Sequence, residues 1–293
     1  MSMKHPIIAV TGSSGAGTTT VKHTFEAIFH RENVNAAIVE GDSFHRHTRA
    51  EMKTLIEEAE RAGLRGISHF GPEANLLSEL ESLFRAYGEA ATGRRRYYIH
   101  NEAEAMRWNL PLGTFTEWED LPVGTDCLFY EGLHGALVTD EADIASHVDL
   151  LIGVVPIINL EWIQKLHRDK TQRGYTTESV TETILRRMPD YVNFICSQFT
   201  HTHINFQRVP MVDTSNPFIA RSIPALDESM VVIRFSHPRG IDFPYLLSMI
   251  HDSFMSRPNT IVVPGGKMDL AMQLIFTPMI LRLVENARKH RAA

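Results

Sequence analysis

Cysteine is almost absent, with two residues in 293, Cys127 and Cys196. They stand far apart and in no metal-ligand spacing, which excludes a disulfide scaffold or a cysteine-based zinc module. Long apolar runs are missing too. The most apolar stretch, LLIGVVPIINL, is too short to cross a bilayer and contains Gly153 and Pro156. The start, MSMKHPIIAVTG, carries one brief apolar run, less than a secretory signal needs. Basic charge is not in excess. The formal net charge is -6, so bulk electrostatics favour neither nucleic acid nor an anionic membrane as a partner. No repeat, linker or low-complexity tract is visible. These absences point to a soluble cytoplasmic protein. What is present is a 43% hydrophobic composition, enough for a sizeable core.

Short β-branched runs alternate with longer helical stretches. PIIAV, NAAIVEGD, CLFYEG and VDLLIGVVP read as strands. TTVKHTFEAIFHRE, NLEWIQKLHRDKTQRG and TTESVTETILRRMPDYVNFI read as helices, the second stopped at Gly174 and the third capped by Thr177. Such alternation predicts an α/β fold with a largely parallel sheet flanked by helices. VPMVDTSN, MVVIRF and NTIVVPGG read as closely spaced later strands, which suggests antiparallel additions towards the C-terminus. The closing helical region is expected to break or kink near Pro278. The basic-aromatic segment GRRRYYIHNEAEA reads as a loop or hairpin.

A charge is missing where one is expected. TGSSGAGTTT lies between the first strand and the first helix, the setting of a phosphate-binding loop of pattern G-x-x-x-x-G-K-[ST]. Gly12 and Gly17 keep the spacing and Thr19 stands where the metal-binding hydroxyl belongs, but Thr18 replaces the lysine. Gly12, Ser13, Ser14, Gly15, Ala16, Gly17, Thr18 and Thr19 are the expected nucleotide contacts, through backbone N–H groups and hydroxyls. A tight strand-to-helix turn is the plainer alternative, and the G-x-G-x-x-G spacing of dinucleotide sites is not kept. Phosphoryl transfer needs a cation near the transferring group. The best substitute lies in IQKLHRDKTQRGY, where Lys165, Arg168 and Asp169 share a helical face and Lys170 and Arg173 follow. The alternative there is a solvated charged face.

In open α/β sheets ligands bind beyond the carboxyl ends of the strands. The second strand ends in EGDSFHRHTR. Asp42 there could accept a proton from an attacking hydroxyl, or merely cap the following helix. His45, Arg46, His47 and Arg49 suit a phosphorylated or polyhydroxylated acceptor. Glu131, at the end of LFYEGLHG, suits a Mg²⁺-holding acid or a buried acceptor for the adjacent turn, and Gly132 and Gly135 leave room for close backbone approach to a ligand.

Taken together, TGSSGAGTTT, EGDSFHR, FYEGLHG, INLEWIQKLHRDKTQRGYTTESVTETILRRMPDY, FQRVPMVDTSNPFI, RGIDFPYLLSMI and IVVPGGKMDLAMQLI resemble the phosphoribulokinases of bacterial type over essentially the whole chain. The resemblance implies one P-loop kinase-like domain spanning residues 1–293. It implies Mg-ATP-dependent phosphorylation of D-ribulose 5-phosphate at its 1-hydroxyl, giving the ribulose 1,5-bisphosphate of the Calvin cycle. That family's loop also lacks the lysine. Carried onto matching positions, the resemblance makes Asp42 the general base, Lys165 the cation near the transferring phosphoryl and Asp169 a second essential carboxylate. Thr19, Glu131 and Asp169 become the metal candidates. His45, Arg49, Arg168 and Arg173 would hold the sugar phosphate, with Tyr98 and His100 contributing. It further implies a homo-octamer activated by NADH and inhibited by AMP, with Arg31, Arg234 and Arg257 as effector candidates. The phosphate loop holds no cysteine, so no thiol switch is expected there.

Two other functions share parts of this pattern. A uridine- or pantothenate-kinase-like enzyme would keep the chemistry and change the acceptor, against which the basic run from His45 to Arg49 speaks. A nucleotide switch would usually carry an N-K-x-D guanine-reading run, and there is none.

Overall fold

The first strand shows why this chain builds a sheet covered on both sides: IIAVT, Ile7–Thr11, is buried at every position. The structure, a computed structural model, describes residues 4–13, 18–155, 157–220 and 222–292. The chain runs β1 (Ile7–Thr11), α1 (Thr18–Arg31), β2 (Ala36–Glu40), α2 (Arg49–Arg61), α3 (Leu77–Ala90), β3 (Arg94–Arg95), α4 (Glu102–Trp108), β4 (Glu119–Asp120) and β5 (Cys127–Gly132). It continues through β6 (Leu150–Val155), α5 (Ile158–Arg173), α6 (Thr177–Asp190), β7 (Ile204–Pro210), β8 (Ser229–Phe235), α7 (Phe243–Met249), β9 (Phe254–Arg257), β10 (Thr260–Pro264) and α8 (Met268–Ala292).

The main sheet has the order β2-β5-β1-β6-β7-β8-β10-β9. From β2 to β7 the pairs are parallel; β8, β10 and β9 add antiparallel pairs. Strand alternation sorts the core into two layers. Ile8, Val10, Cys127, Phe129 and Ile152 face α1 and α8, where Phe25 lies 4.9 Å from both Phe129 and Phe276, ring centre to ring centre. Ile7, Ala9, Leu128, Tyr130 and Leu151 face α3, packing with Leu80, Phe84 and Tyr87. Burial pushes the Cys127 thiol up to about 12, so it stays an unreactive core group.

The fold is the expected mostly parallel mixed sheet, with local differences. Strand β7 is INFQRVP and ends at Pro210, so most of VPMVDTSN is loop; the alternating pattern stops where proline removes a ladder donor. The cap of α6 is Thr176, whose hydroxyl accepts the Ser179 N–H at 3.2 Å, one residue before the expected Thr177. Pro278 lies inside one continuous helix, α8. Helix α2 is capped by Thr48 in a capping box with Glu51, which frees Asp42 from that duty. Segment 93–120 is a hairpin-like excursion closed by β3 and β4 and by a bridge between Tyr98 and Phe115.

Candidate active site

The carboxyl ends of β1, β2 and β5 converge where the phosphate loop begins. The Gly12 N–H donates to the Gly132 carbonyl at 3.2 Å. Thr11 donates its hydroxyl to the Gln198 side chain at 2.8 Å, and Gln198 also accepts the Ala136 N–H at 3.0 Å, tying loop base to the turn after β5. A Cβ on Gly132 would lie 2.6 Å from the Gly41 Cα, so the close approach Gly132 permits is to the end of β2 and Tyr130. That contact sets Asp42 beside the loop. Ser13 is buried; Ser14, Gly15, Ala16 and Gly17 lie outside the described residues, as do the side chains of Thr18, Thr19 and Arg173.

Asp42 sits in a 3-10 turn, Gly41–Phe44, directly after β2. Its Oδ1 is 3.1 Å from His45 Nε2 and its Oδ2 is 3.5 Å from His100 Nε2. The far nitrogen of His45 is 2.9 Å from the Asn75 side-chain oxygen. Tyr98 lies edge-on to both histidines, 6.1 Å from His45 and 4.9 Å from His100. The Asp42 side chain remains 37% exposed. Being surrounded by protein raises its pKa, but His45 and then His100 pull it lower still, so the net shift is well below the usual carboxylate range. His45 moves the other way: burial lowers it, and Asp42 and Asn75 more than reverse this. Arg49 opens α2, exposed, with its side chain against Gly113.

On α5, Glu161, Lys165 and Asp169 fall at i, i+4 and i+8 and share one face. Glu161 lies near Ser13, whose buried hydroxyl makes no hydrogen bond among the described residues, and accepts the Tyr191 hydroxyl at 3.0 Å. Lys165 follows about 6 Å along the helix axis. Its ammonium is 2.6 Å from Asp169 Oδ2, and Arg168 Nε is 3.2 Å from Oδ1. Burial raises the Asp169 pKa, but Lys165 and Arg168 outweigh it, so the carboxylate stays ionised. Leu166, Val180 and Ile184, with Trp162 and Met188, give the α5–α6 hairpin its own small core.

Glu131 stands in register with Glu40 at the sheet edge, on the side that Cys127 and Phe129 present to α1. Lys22 of α1 is ion-paired with Glu40. Among the described residues no group of three or more His, Cys, Asp or Glu side chains could hold a metal. Carboxylate oxygens at a nucleotide loop do fit the hard, mostly water- and phosphate-coordinated Mg²⁺, which takes only one or two protein carboxylates. The effector candidates divide. Arg31 donates to Gln273 and Thr277 on α8 at 2.7 and 2.9 Å. Arg234 and Arg257 flank Thr260 in register, on the sheet face opposite the one whose Ile233 and Phe235 join the core with α8.

The profile of the Phosphoribulokinase / Uridine kinase family matches residues 7–215. The chain belongs to this family. Within it, a plasmid-encoded phosphoribulokinase of Cupriavidus necator is 69% identical over 293 residues, covering all of both chains. The phosphoribulokinase of Nitrobacter vulgaris is 66% identical, again over 100% of each. The solved phosphoribulokinase from Rhodobacter spheroides superposes with a TM-score of 0.91 at 60% identity, covering 98% of this chain and all of that one. The chain is a kinase.

Several residues of this family member escape a linear reading. The His69 ring lies tilted against His45, 4.6 Å centre to centre, and His134 Nε2 meets the Phe70 carbonyl at 3.0 Å. Burial, aided for His69 by His45 and Arg187, lowers their pKa to about 3 and about 4. Both are neutral when folded, while the unfolded chain protonates them near 6.5. Between those values the unfolded state binds more protons, so stability rises with pH and is lost as pH falls from about 6.5. Each site contributes a slope of up to about 1.4 kcal/mol per pH unit in that window. His134→Gln should flatten the fall in denaturation midpoint between pH 6.5 and 5; an unchanged slope would place its proton uptake elsewhere.

Proposed function

We propose that this chain transfers the γ-phosphoryl group of ATP, presented as its Mg²⁺ complex, to the 1-hydroxyl of ribulose 5-phosphate. The carrying observation is Asp42, held between His45 and His100 on the flank of a phosphate loop, in a chain that matches phosphoribulokinases from end to end.

The residues divide the work. Backbone N–H groups after Gly12 and the start of α1 would cradle the nucleotide phosphates. Glu131, Thr19 and Asp169 are the side chains that would hold Mg²⁺, whose chemistry there is to neutralise phosphate charge. Asp42 takes the proton of the acceptor hydroxyl. A carboxylate of such low pKa is a weak base while two histidines draw on it. An anionic sugar phosphate would compete with Asp42 for the more exposed His100, and Asp42 would regain basicity as the acceptor binds. Arg49, Arg168, Arg173, Tyr98 and His100 complete the acceptor side. Lys165 supplies the charge that the loop lacks, one helical turn beyond the point where Glu161 lies near Ser13.

The proposal extends to a cytoplasmic homo-octamer activated by NADH and inhibited by AMP. Arg31 and the Arg234–Arg257 pair are exposed on opposite sheet faces, so an effector touching all three would bridge two chains. No helix among the described residues is long and apolar enough to cross a membrane.

Acceptor identity is tested by ADP release with ribulose 5-phosphate and with uridine in parallel, both with Mg-ATP. Turnover should require the sugar phosphate and be at least about 10²-fold slower on uridine, whose lack of a phosphate leaves the cationic groups unpaired. Preference for uridine would overturn the assignment.

A further inference from the structure

Asp42 is gripped through both oxygens by histidines from two separate segments. His45 belongs to the turn after β2; His100 belongs to the strand-like run that follows β3. Something must fix these segments to each other. Arg96 does so. Its Nε donates to the Ser43 carbonyl at 2.8 Å and its Nη2 donates to the His45 carbonyl at 2.6 Å. Ser43 answers with its hydroxyl, which donates to the Arg96 carbonyl at 2.6 Å. The two carbonyls bracket Phe44 and belong to residues only 1% and 6% exposed, so each needs a donor.

The guanidinium is itself immobilised. It lies 3.7 Å from the Phe115 ring centre and 4.8 Å from that of Trp118, and Trp118 packs edge-on against Phe44 at 5.5 Å. A planar fork stacked on aromatic rings loses little entropy when it makes two bonds at once. From Arg96 the backbone runs directly to Tyr98 and His100, so one side chain ties the acceptor-side wall to the Asp42 turn.

We infer that Arg96 is a positioning residue that holds Asp42 between His45 and His100; this rests on the reading of Asp42 as the proton acceptor. Arg96 touches no reacting atom. Its contribution is to keep the carboxylate within the narrow geometry that proton transfer demands, where a misplacement of about 1 Å costs roughly 10²-fold.

The test uses the full-length protein with Arg96→Met, Arg96→Lys, Ser43→Ala and Asp42→Asn, each assayed well below its melting temperature. Arg96→Met should lower kcat by about 10- to 100-fold while KM for ATP moves less than about 2-fold, because the bonds of Arg96 go to the turn that carries Asp42. Arg96→Lys keeps the charge beside His45 but loses the fork, and should recover little of the kcat. Ser43→Ala, the mildest change, should cost kcat a few-fold in the same pattern. Native kcat in Arg96→Met, or full recovery in Arg96→Lys, overturns the inference. So does a loss that merely tracks the unfolded fraction. If Arg96→Met fails to fold, the lysine and Ser43 variants decide. Asp42→Asn separates the two claims: its full activity would sink the base assignment, whereas a dead Asp42→Asn beside an unaffected Arg96→Met sinks only the positioning role.

Discussion

Asp42→Asn is expected to lower kcat by about 10²- to 10⁴-fold while leaving ATP binding intact, the usual cost of removing a general base. Size hardly changes, so the surrounding packing should keep its shape; what disappears is the proposed proton acceptor and one half of an ion pair. The substitution also releases His45. Burial alone lowers the His45 pKa, and the Asp42 carboxylate is the largest influence raising it, so His45 in the variant should titrate lower. The sign follows from linkage. A histidine whose folded pKa is raised stabilises the fold fully below the unfolded value near 6.5, and that stabilisation fades as pH rises through the folded value. The stability gap between wild type and Asp42→Asn should therefore be widest on the acid side of neutrality, where wild-type His45 is charged, and should narrow as pH climbs. ADP-release kinetics and denaturant titrations at pH 6 and pH 9 check both parts. Near-native turnover in the variant would move the base elsewhere.

The parallel half of the sheet was legible because its signals are local. IIAV, AAIVE, CLFYEG and LLIGVV are apolar runs of strand length followed by turn residues, and all four became neighbouring strands in the order β2-β5-β1-β6. The rule that ligands gather at carboxyl ends singled out Asp42 and Glu131, and the structure has them at the carboxyl ends of β2 and β5. Asp42 and His45 are three residues apart and could be paired on sequence; His100 reaches the same carboxylate from 58 residues further along, through a hairpin that the basic-aromatic composition only hinted at. Arg96 stood in plain view in GRRRYYIH, but nothing in three consecutive arginines tells which one stacks between Phe115 and Trp118. His69 and His134 were equally hidden, since their neutrality comes from burial under segments distant in sequence. Strand β9 failed for another reason: FMSR is short and half-polar, and it forms only because β10 offers an unpaired edge. Of the break or kink expected near Pro278, the break does not occur: α8 runs through it, and Met272, Phe276 and Ile280 are buried in the core on either side.

Lys165→Met is the second large effect. A loop without its lysine needs a positive charge that meets the phosphoryl group as negative charge spreads over it, and a charge matched to the transition state acts on kcat. The expected loss is about 10²- to 10³-fold in kcat with little change in KM for either substrate. Fold stability should suffer modestly, because Asp169 keeps Arg168 at 3.2 Å when Lys165 is gone. At 2.6 Å from Asp169, the ammonium of Lys165 is half-buried yet compensated. Glu161, one turn earlier on the same face of α5, lies near Ser13 at the start of the loop, so Lys165 stands on the helix face turned towards the nucleotide site. Lys165→Arg should then restore only part of the rate, since a wider, planar cation cannot occupy the same point. If Lys165→Met instead raised KM and spared kcat, Lys165 would be a ground-state anchor, and the missing charge of the loop would have to come from Arg168 or Arg173.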